Sequence, residues 1–355
     1  MGLFGSRKKT KNVPVTSVTE RSQNPEEIKE EVLQSSYDEI NEHAEVVERT
    51  SEHEEAAEET DLEMESTSSE DGVEAEDEDD DDIRTFIPFR DKPKVAHAIG
   101  QTKILAIINQ KGGVGKTTTA VNLSAALGQL GCRVLLADLD PQGNATSGVG
   151  INKREVKVSS YHVLMEESGA AEAILPTRFK GLSILPSNID LAGAEIELVE
   201  KENRAKSLRA ALLRVKEDYD FIFIDCPPSL GLITVNALTA SDSILIPIQC
   251  EYYALEGLTQ LMQTVRTVKR LYNSSITVEG VLLTMYDSRL NLTNQVVGEI
   301  KKYFADKVFR STVPRSVRIS EAPSYGEPIC YYDKANRGTL AYQRVAEELL
   351  ERNRK

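Results

Sequence analysis

Ten consecutive residues, Asn109-Gln110-Lys111-Gly112-Gly113-Val114-Gly115-Lys116-Thr117-Thr118, combine the side chains and the backbone freedom needed to hold a polyphosphate. Three glycines let the chain curl until its N–H groups converge on phosphate oxygens, and a helix beginning just beyond adds the positive end of its dipole. Gly112, Gly113, Val114, Gly115, Lys116, Thr117 and Thr118 form the expected cradle. Lys116 is expected to reach the β- and γ-phosphates of ATP, and the Thr117 hydroxyl to ligate Mg2+.

Two carboxylate sets complete this chemistry. Asp225 ends the apolar run Phe221-Ile222-Phe223-Ile224 and precedes Cys226-Pro227-Pro228. Mg2+ keeps most of its waters and needs only one or two protein groups, so Thr117 directly and Asp225 through water suffice. Asp138-Leu139-Asp140 closes another apolar run. Carboxyl ends of parallel strands face the ligand crevice, which puts Asp140 where it can orient the attacking water and leaves Asp138 a structural role or a place in the outer shell of the Mg2+. Phosphoryl transfer depends on positioning and charge stabilisation more than on proton abstraction, so these few groups are a sufficient set.

The elements that must position them are legible as short β-branched runs alternating with helical segments. Strands are expected at 104–108, 134–138, 182–185, 221–225, 243–247 and 280–284, with a helix over 120–130 after the glycine loop. The runs are nearly all apolar rather than alternating, as strands covered by helices on both faces must be. This predicts an α/β fold: one doubly wound, mostly parallel sheet over residues 99–355.

Residues 1–100 carry 29 of the 57 acidic and 11 of the 42 basic residues of the 355-residue chain, a local balance of −18, while the remainder stands at +3. The total of −15 therefore describes the first hundred residues and excludes no nucleic-acid-binding function for the rest. Residues 16–82 are dominated by Glu, Asp and Ser and close on the acidic run 76–82, so the segment 1–98 reads as a disordered extension. Within it, residues 25–49 have helical spacing suited to folding on a partner. No apolar stretch approaches the length that spans a bilayer, and no signal-peptide core follows the start, so the expectation is a soluble cytoplasmic protein. Cys132, Cys226, Cys250 and Cys330 are scattered without a CxxC pair and read as buried thiols.

Gln110 stands where the usual GxxxxGK[ST] pattern has its first glycine, and Lys111 precedes the glycine pair. This KGGVGKT form is the deviant Walker A motif of the ParA/MinD group of P-loop NTPases. With LLADLDPQGNATSGVG (135–150), YDFIFIDCPPSLGLITVNAL (219–238), PIQCEYYALEGL (247–258), TMYDSRLNLTNQV (284–296) and VPRSVRISEAPSYGEPI (313–329), the chain resembles ParA/Soj partitioning ATPases across most of 102–350.

The resemblance implies an ATP-sandwich homodimer in which Lys111 is the signature lysine, reaching the partner's phosphates. It places adenine contacts at Pro314 and Arg315 and non-specific DNA contacts at Arg289 and Arg318. It further implies a ParB/Spo0J-type centromere-binding partner, slow partner-stimulated hydrolysis and a nucleoid-associated location. The residues alone say less, since Lys301, Lys302, Lys307, Arg310, Arg315 and Arg318 make a basic C-terminal third that suits either a DNA face or a solvated surface. The extension is a departure from the family.

The rival within the group is a MinD-like membrane-cycling ATPase, which needs a C-terminal amphipathic helix with a broad apolar face and basic flanks. Residues 340–352 carry acidic residues within their apolar stripe and read instead as a helix packed on the body. A catalytically idle scaffold is the reading from another class, opposed by the joint presence of Lys111, Lys116, Thr117, Asp140 and Asp225.

Overall fold

A computed structural model describes residues 99–251 and 254–354. The extension expected to be disordered, with its candidate helix over 25–49, lies outside the described residues. The chain opens with β1 (Lys103–Ile107), α1 (Lys116–Gln129), β2 (Val134–Asp138), α2 (Asn144–Gly148), α3 (Ser160–Leu164) and α4 (Ala170–Ala173). It continues through β3 (Leu175–Pro176), β4 (Leu182–Leu185), α5 (Leu191–Glu197), α6 (Ser207–Leu213), β5 (Phe221–Asp225), α7 (Leu232–Ala240) and β6 (Ser243–Gln249). The last part holds α8 (Ala254–Leu271), β7 (Thr277–Thr284), α9 (Asn291–Phe304), α10 (Val317–Glu321), α11 (Ile329–Tyr332) and α12 (Arg337–Asn353).

The strands form one seven-stranded sheet in the order β3-β4-β2-β5-β1-β6-β7. Every pairing is parallel except the short β3–β4 contact. The doubly wound, mostly parallel α/β fold is thus as expected. Strands β2, β4 and β5 have the expected bounds, and β1 is offset by one residue.

The helix after the glycine loop begins at Lys116 rather than residue 120, because the loop itself supplies its N-cap at Gly115. Gly280, expected to start β7, lies inside it. A register shift against β6 falls at that point, and a Cβ on Gly280 would meet the Phe309 ring at 2.5 Å. Strand β3, two residues long and containing a proline, left no periodic signal.

Alternate residues of each strand feed two cores. Ile104 and Ala106 of β1, with Ile222 and Ile224 of β5, join the cluster covered by α5–α9. Leu105, Ile107, Phe221 and Phe223 join the cluster covered by α1, α2 and the C-terminal helices. All four cysteines are buried and free, as read from their spacing.

Helix α12 closes that second layer. Its Tyr342, Val345 and Leu349 are buried, and the Tyr342 hydroxyl meets Thr119 Oγ1 of α1 at 3.3 Å. The acidic residue within its stripe, Glu348, is buried and accepts hydrogen bonds from Arg310 N (2.9 Å), Ser311 N (3.0 Å) and Arg352 Nη2 (2.8 Å). The helix is packed on the body, as its charge pattern indicated. Among the described residues, no helix is long and apolar enough to cross a membrane.

Candidate active site

Strand register assembles the site. Asp225, the last residue of β5, pairs in register with Ile107 of β1 on one side and Asp138 of β2 on the other. The residues after β1 therefore leave the sheet directly beside two carboxylates. Gly113 (φ 75°) and Gly115 (φ 91°) take the left-handed conformation that reverses the chain, which a side chain would strain. A Cβ on Gly112 or Gly113 would meet nothing within 4 Å, leaving open space over the loop. Helix α1 starts with Gly115 as N-cap, no capping side chain and no acidic residue in its first turn. Its leading N–H groups and dipole are thus left for an anion.

The loop is braced from three sides. Thr284 Oγ1, at the end of β7, donates to Val114 O at 2.7 Å. Asn109 Nδ2 donates to Pro247 O at 2.8 Å, and Asn109 Oδ1 accepts from Lys111 N at 3.0 Å. Lys116 Nζ donates to Lys111 O at 3.1 Å, and the side chain is buried. Burial lowers the pKa of this ammonium, while nearby Asp225, Cys226 and Asp140 act to keep it charged.

Asp138 and Asp225 are both fully buried. Asp138 accepts from Thr146 N (2.8 Å), Thr146 Oγ1 (2.7 Å) and Asp140 N (3.1 Å), so its carboxylate fixes the turn that carries Asp140. Of the two roles expected for it, these contacts are the structural one. Both oxygens of Asp225 lack a hydrogen bond, the Thr117 hydroxyl standing close enough only to favour the charged form. Burial first, and then the neighbouring Asp138 charge, push the Asp225 pKa well up. Two buried carboxylates at the foot of an anion cradle, one wholly unpartnered, make an arrangement that a divalent cation relieves. Asp140 is half-buried, accepts from Gln142 N at 2.9 Å and has its own carbonyl held by Ser187 Oγ at 2.8 Å.

Lys111, Lys116, Thr117, Asp140 and Asp225 thus come together. Lys111 stands at the outer lip, its ammonium paired with Glu251. Pro314 and Arg315 lie one step away, because a bridge pairs Pro314 with Tyr286, two residues past the Thr284 that holds the loop. Arg315 is exposed, with Nη2 3.8 Å from Met285 Sδ. The same bridge sets the connection bearing Arg289 beside the one leading to Arg318.

Both of those arginines are exposed but engaged. Arg289 makes a two-pronged pair with Asp287 (2.8 and 2.6 Å). Arg318 pairs with Glu321 (3.1 Å) and Asp333 (3.7 Å) beside the Tyr332 ring. Sequence reasoning missed Asn109, Thr146, Ser187, Glu251 and Thr284, whose roles are contacts between distant segments. Asn109, Thr146, Glu251 and Thr284 gave a faint signal, by falling in or beside the motif blocks, and Ser187 gave none.

A family model described as an AAA domain matches residues 102–278. Among curated proteins, the sporulation initiation inhibitor protein Soj of Bacillus subtilis is 57% identical over 247 residues, 70% of this chain and 98% of that protein. The chromosome partitioning protein ParA of Myxococcus xanthus is 51% identical over 251 residues, 71% of this chain and 89% of that protein. The chain belongs to the ParA/Soj family. Among solved structures, this ParA/Soj chain is similar to a cobyrinic acid a,c-diamide synthase from Mycobacterium smegmatis with bound ADP and magnesium. That likeness has 37% identity and a TM-score of 0.58, covering 69% of this chain and 93% of that one.

The ParA/Soj chain is a P-loop ATPase, and its site fits ATP with Mg2+. The open glycine cradle and the uncapped start of α1 suit phosphates, and the unpartnered Asp225 beside Thr117 suits the metal. Mg2+ would supply neutralisation of the phosphate charge there. Lys116 would bind the phosphates, Thr117 and Asp225 would hold the ion, and Asp140 would stand where it could orient water.

Proposed function

We propose that the protein is a chromosome- or plasmid-partitioning ATPase that dimerises around ATP, binds DNA without sequence preference and hydrolyses slowly until a ParB-type protein stimulates it. It resides in the cytoplasm on the nucleoid. The carrying observation is the pair of lysines in one loop. Lys116 is buried and turned inward, while Lys111 is one-third exposed at the lip with its ammonium outside the cradle. A second cation there adds nothing to its own cradle but completes a facing one, neutralising the γ-phosphate only when two subunits close. The relatives named Soj and ParA support the partitioning role.

Residues 1–98 act as an acidic extension to an ATPase domain spanning 99–355, with Pro314 and Arg315 at the adenine and Arg289 and Arg318 on DNA. For the arginines to reach phosphates, Asp287, Glu321 and Asp333 must exchange them for DNA, so binding is modest per contact and sensitive to salt.

The test is co-sedimentation with unrelated DNAs in ATP, ADP or no nucleotide, together with sizing by light scattering. Binding and dimerisation are expected with ATP alone, and Lys111→Ala is expected to bind ATP yet remain monomeric. A Lys111→Ala protein that dimerises like the parent overturns the cross-subunit role.

A further inference from the structure

Glu251 lies just past the end of β6, in the connection to α8, and its Oε2 receives the Lys111 ammonium. The two residues are 140 positions apart in the chain, so the pair is a product of the fold. Among the described residues, every other tie on Lys111 is to its backbone: its N–H donates to Asn109 and its carbonyl accepts from Lys116. Those bonds shape the cradle. The side-chain pair does not, and it alone can be released without disturbing the loop. The two side chains are 33% and 45% exposed, so water screens the pair and keeps it exchangeable.

We infer that Glu251 is the resting partner of Lys111, a positioning residue that keeps the ammonium on its own subunit until the terminal phosphate of the partner's ATP displaces the carboxylate. This rests on the reading of Lys111 as a cation supplied in trans. The exchange leaves Lys111 paired throughout and returns Glu251 to solvent, where a half-exposed carboxylate is at little disadvantage. What drives it is the charge of the incoming group. A γ-phosphate outweighs one carboxylate; ADP has no γ-phosphate to offer and leaves the pair intact. Glu251 thereby raises the threshold for closure and makes it depend on the terminal phosphate.

Zero-length carbodiimide coupling of the full chain, read by mass spectrometry of its peptides, tests the contact. A Lys111–Glu251 amide is expected without nucleotide and with ADP, and should fall at least about fivefold with Mg2+ and a non-hydrolysable ATP analogue. No amide in the nucleotide-free protein overturns the resting contact; an undiminished amide with the analogue overturns the exchange.

Light scattering of Glu251→Gln tests the consequence. The protein concentration for half-dimerisation with ATP should drop about three- to tenfold, two weak pairs being relieved per dimer. The preference for ATP over ADP should narrow, and Glu251→Asp should keep the parent ratio. Unchanged or weaker dimerisation of Glu251→Gln overturns the inference. Failure of the in-trans reading is seen separately, as normal dimerisation by Lys111→Ala.

Discussion

Asp225 has the most exposed consequences of any single residue in the site. Burial raises its folded-state pKa above the unfolded value, so the folded protein keeps the full contribution of this group at acid pH and loses it as the pH climbs through the folded pKa. Without metal or nucleotide, Asp225→Asn is therefore expected to be more stable than the parent at neutral pH, by about 1–2 kcal/mol or roughly 2–8 °C in Tm, with the gain shrinking toward pH 5. Stabilisation by ATP with Mg2+ should disappear in the same variant. Thermal melts at pH 5 and 7.5, with and without ligand, check both.

Asp140 behaves differently, since its turn is fixed by Asp138 and Ser187 rather than by its own carboxylate alone. Asp140→Ala should bind ATP as the parent does and lose about a hundredfold or more in turnover, measured as phosphate release. Parent-like turnover would remove it from the catalytic set. That these groups would converge was readable before the fold, because glycine spacing, a Lys-Thr pair and strand-end carboxylates are local patterns. Glu251 and Thr284 were not, because each acts on a segment more than a hundred residues away and no local pattern encodes that meeting.

Among the elements, β7 does the most to connect regions of the site. Its Thr284 holds the phosphate loop, and the two residues that follow bring in the segment carrying Pro314 and Arg315. Thr284→Val keeps the shape and removes the hydroxyl. ATP binding is expected to weaken about five- to tenfold by calorimetry while the thermal transition stays cooperative, since one loop carbonyl loses its donor. The sheet itself was legible: buried parallel strands appear as apolar runs, and β2, β4 and β5 were read to the residue. Boundaries failed where the cause was tertiary. Helix α1 starts early because the glycine loop caps it, and Gly280 sits within a strand because Phe309 packs against it.

For the molecule as a whole, charge is divided along the chain, −18 over residues 1–100 against +3 beyond. A tethered acidic segment would compete with DNA phosphate for the basic residues beyond it, at an effective concentration of the order of millimolar. Deleting residues 1–91 should raise ATP-dependent DNA affinity at low salt, up to about tenfold. The advantage should fade as ionic strength shortens the screening length to about 8 Å. Equal affinities at every salt concentration would assign the extension to docking a partner instead.

The placement of Asp225 between Ile107 and Asp138 also bears on how the chain reaches its native state. Side chains alternate between the faces of a strand, so a β5 slipped by one residue would turn this carboxylate away from the glycine loop. ATP with Mg2+ at a hundred times its dissociation constant favours a competent site by about 2.7 kcal/mol and gives nothing to the slipped form. By mass action the nucleotide is thus expected to enrich correctly aligned molecules.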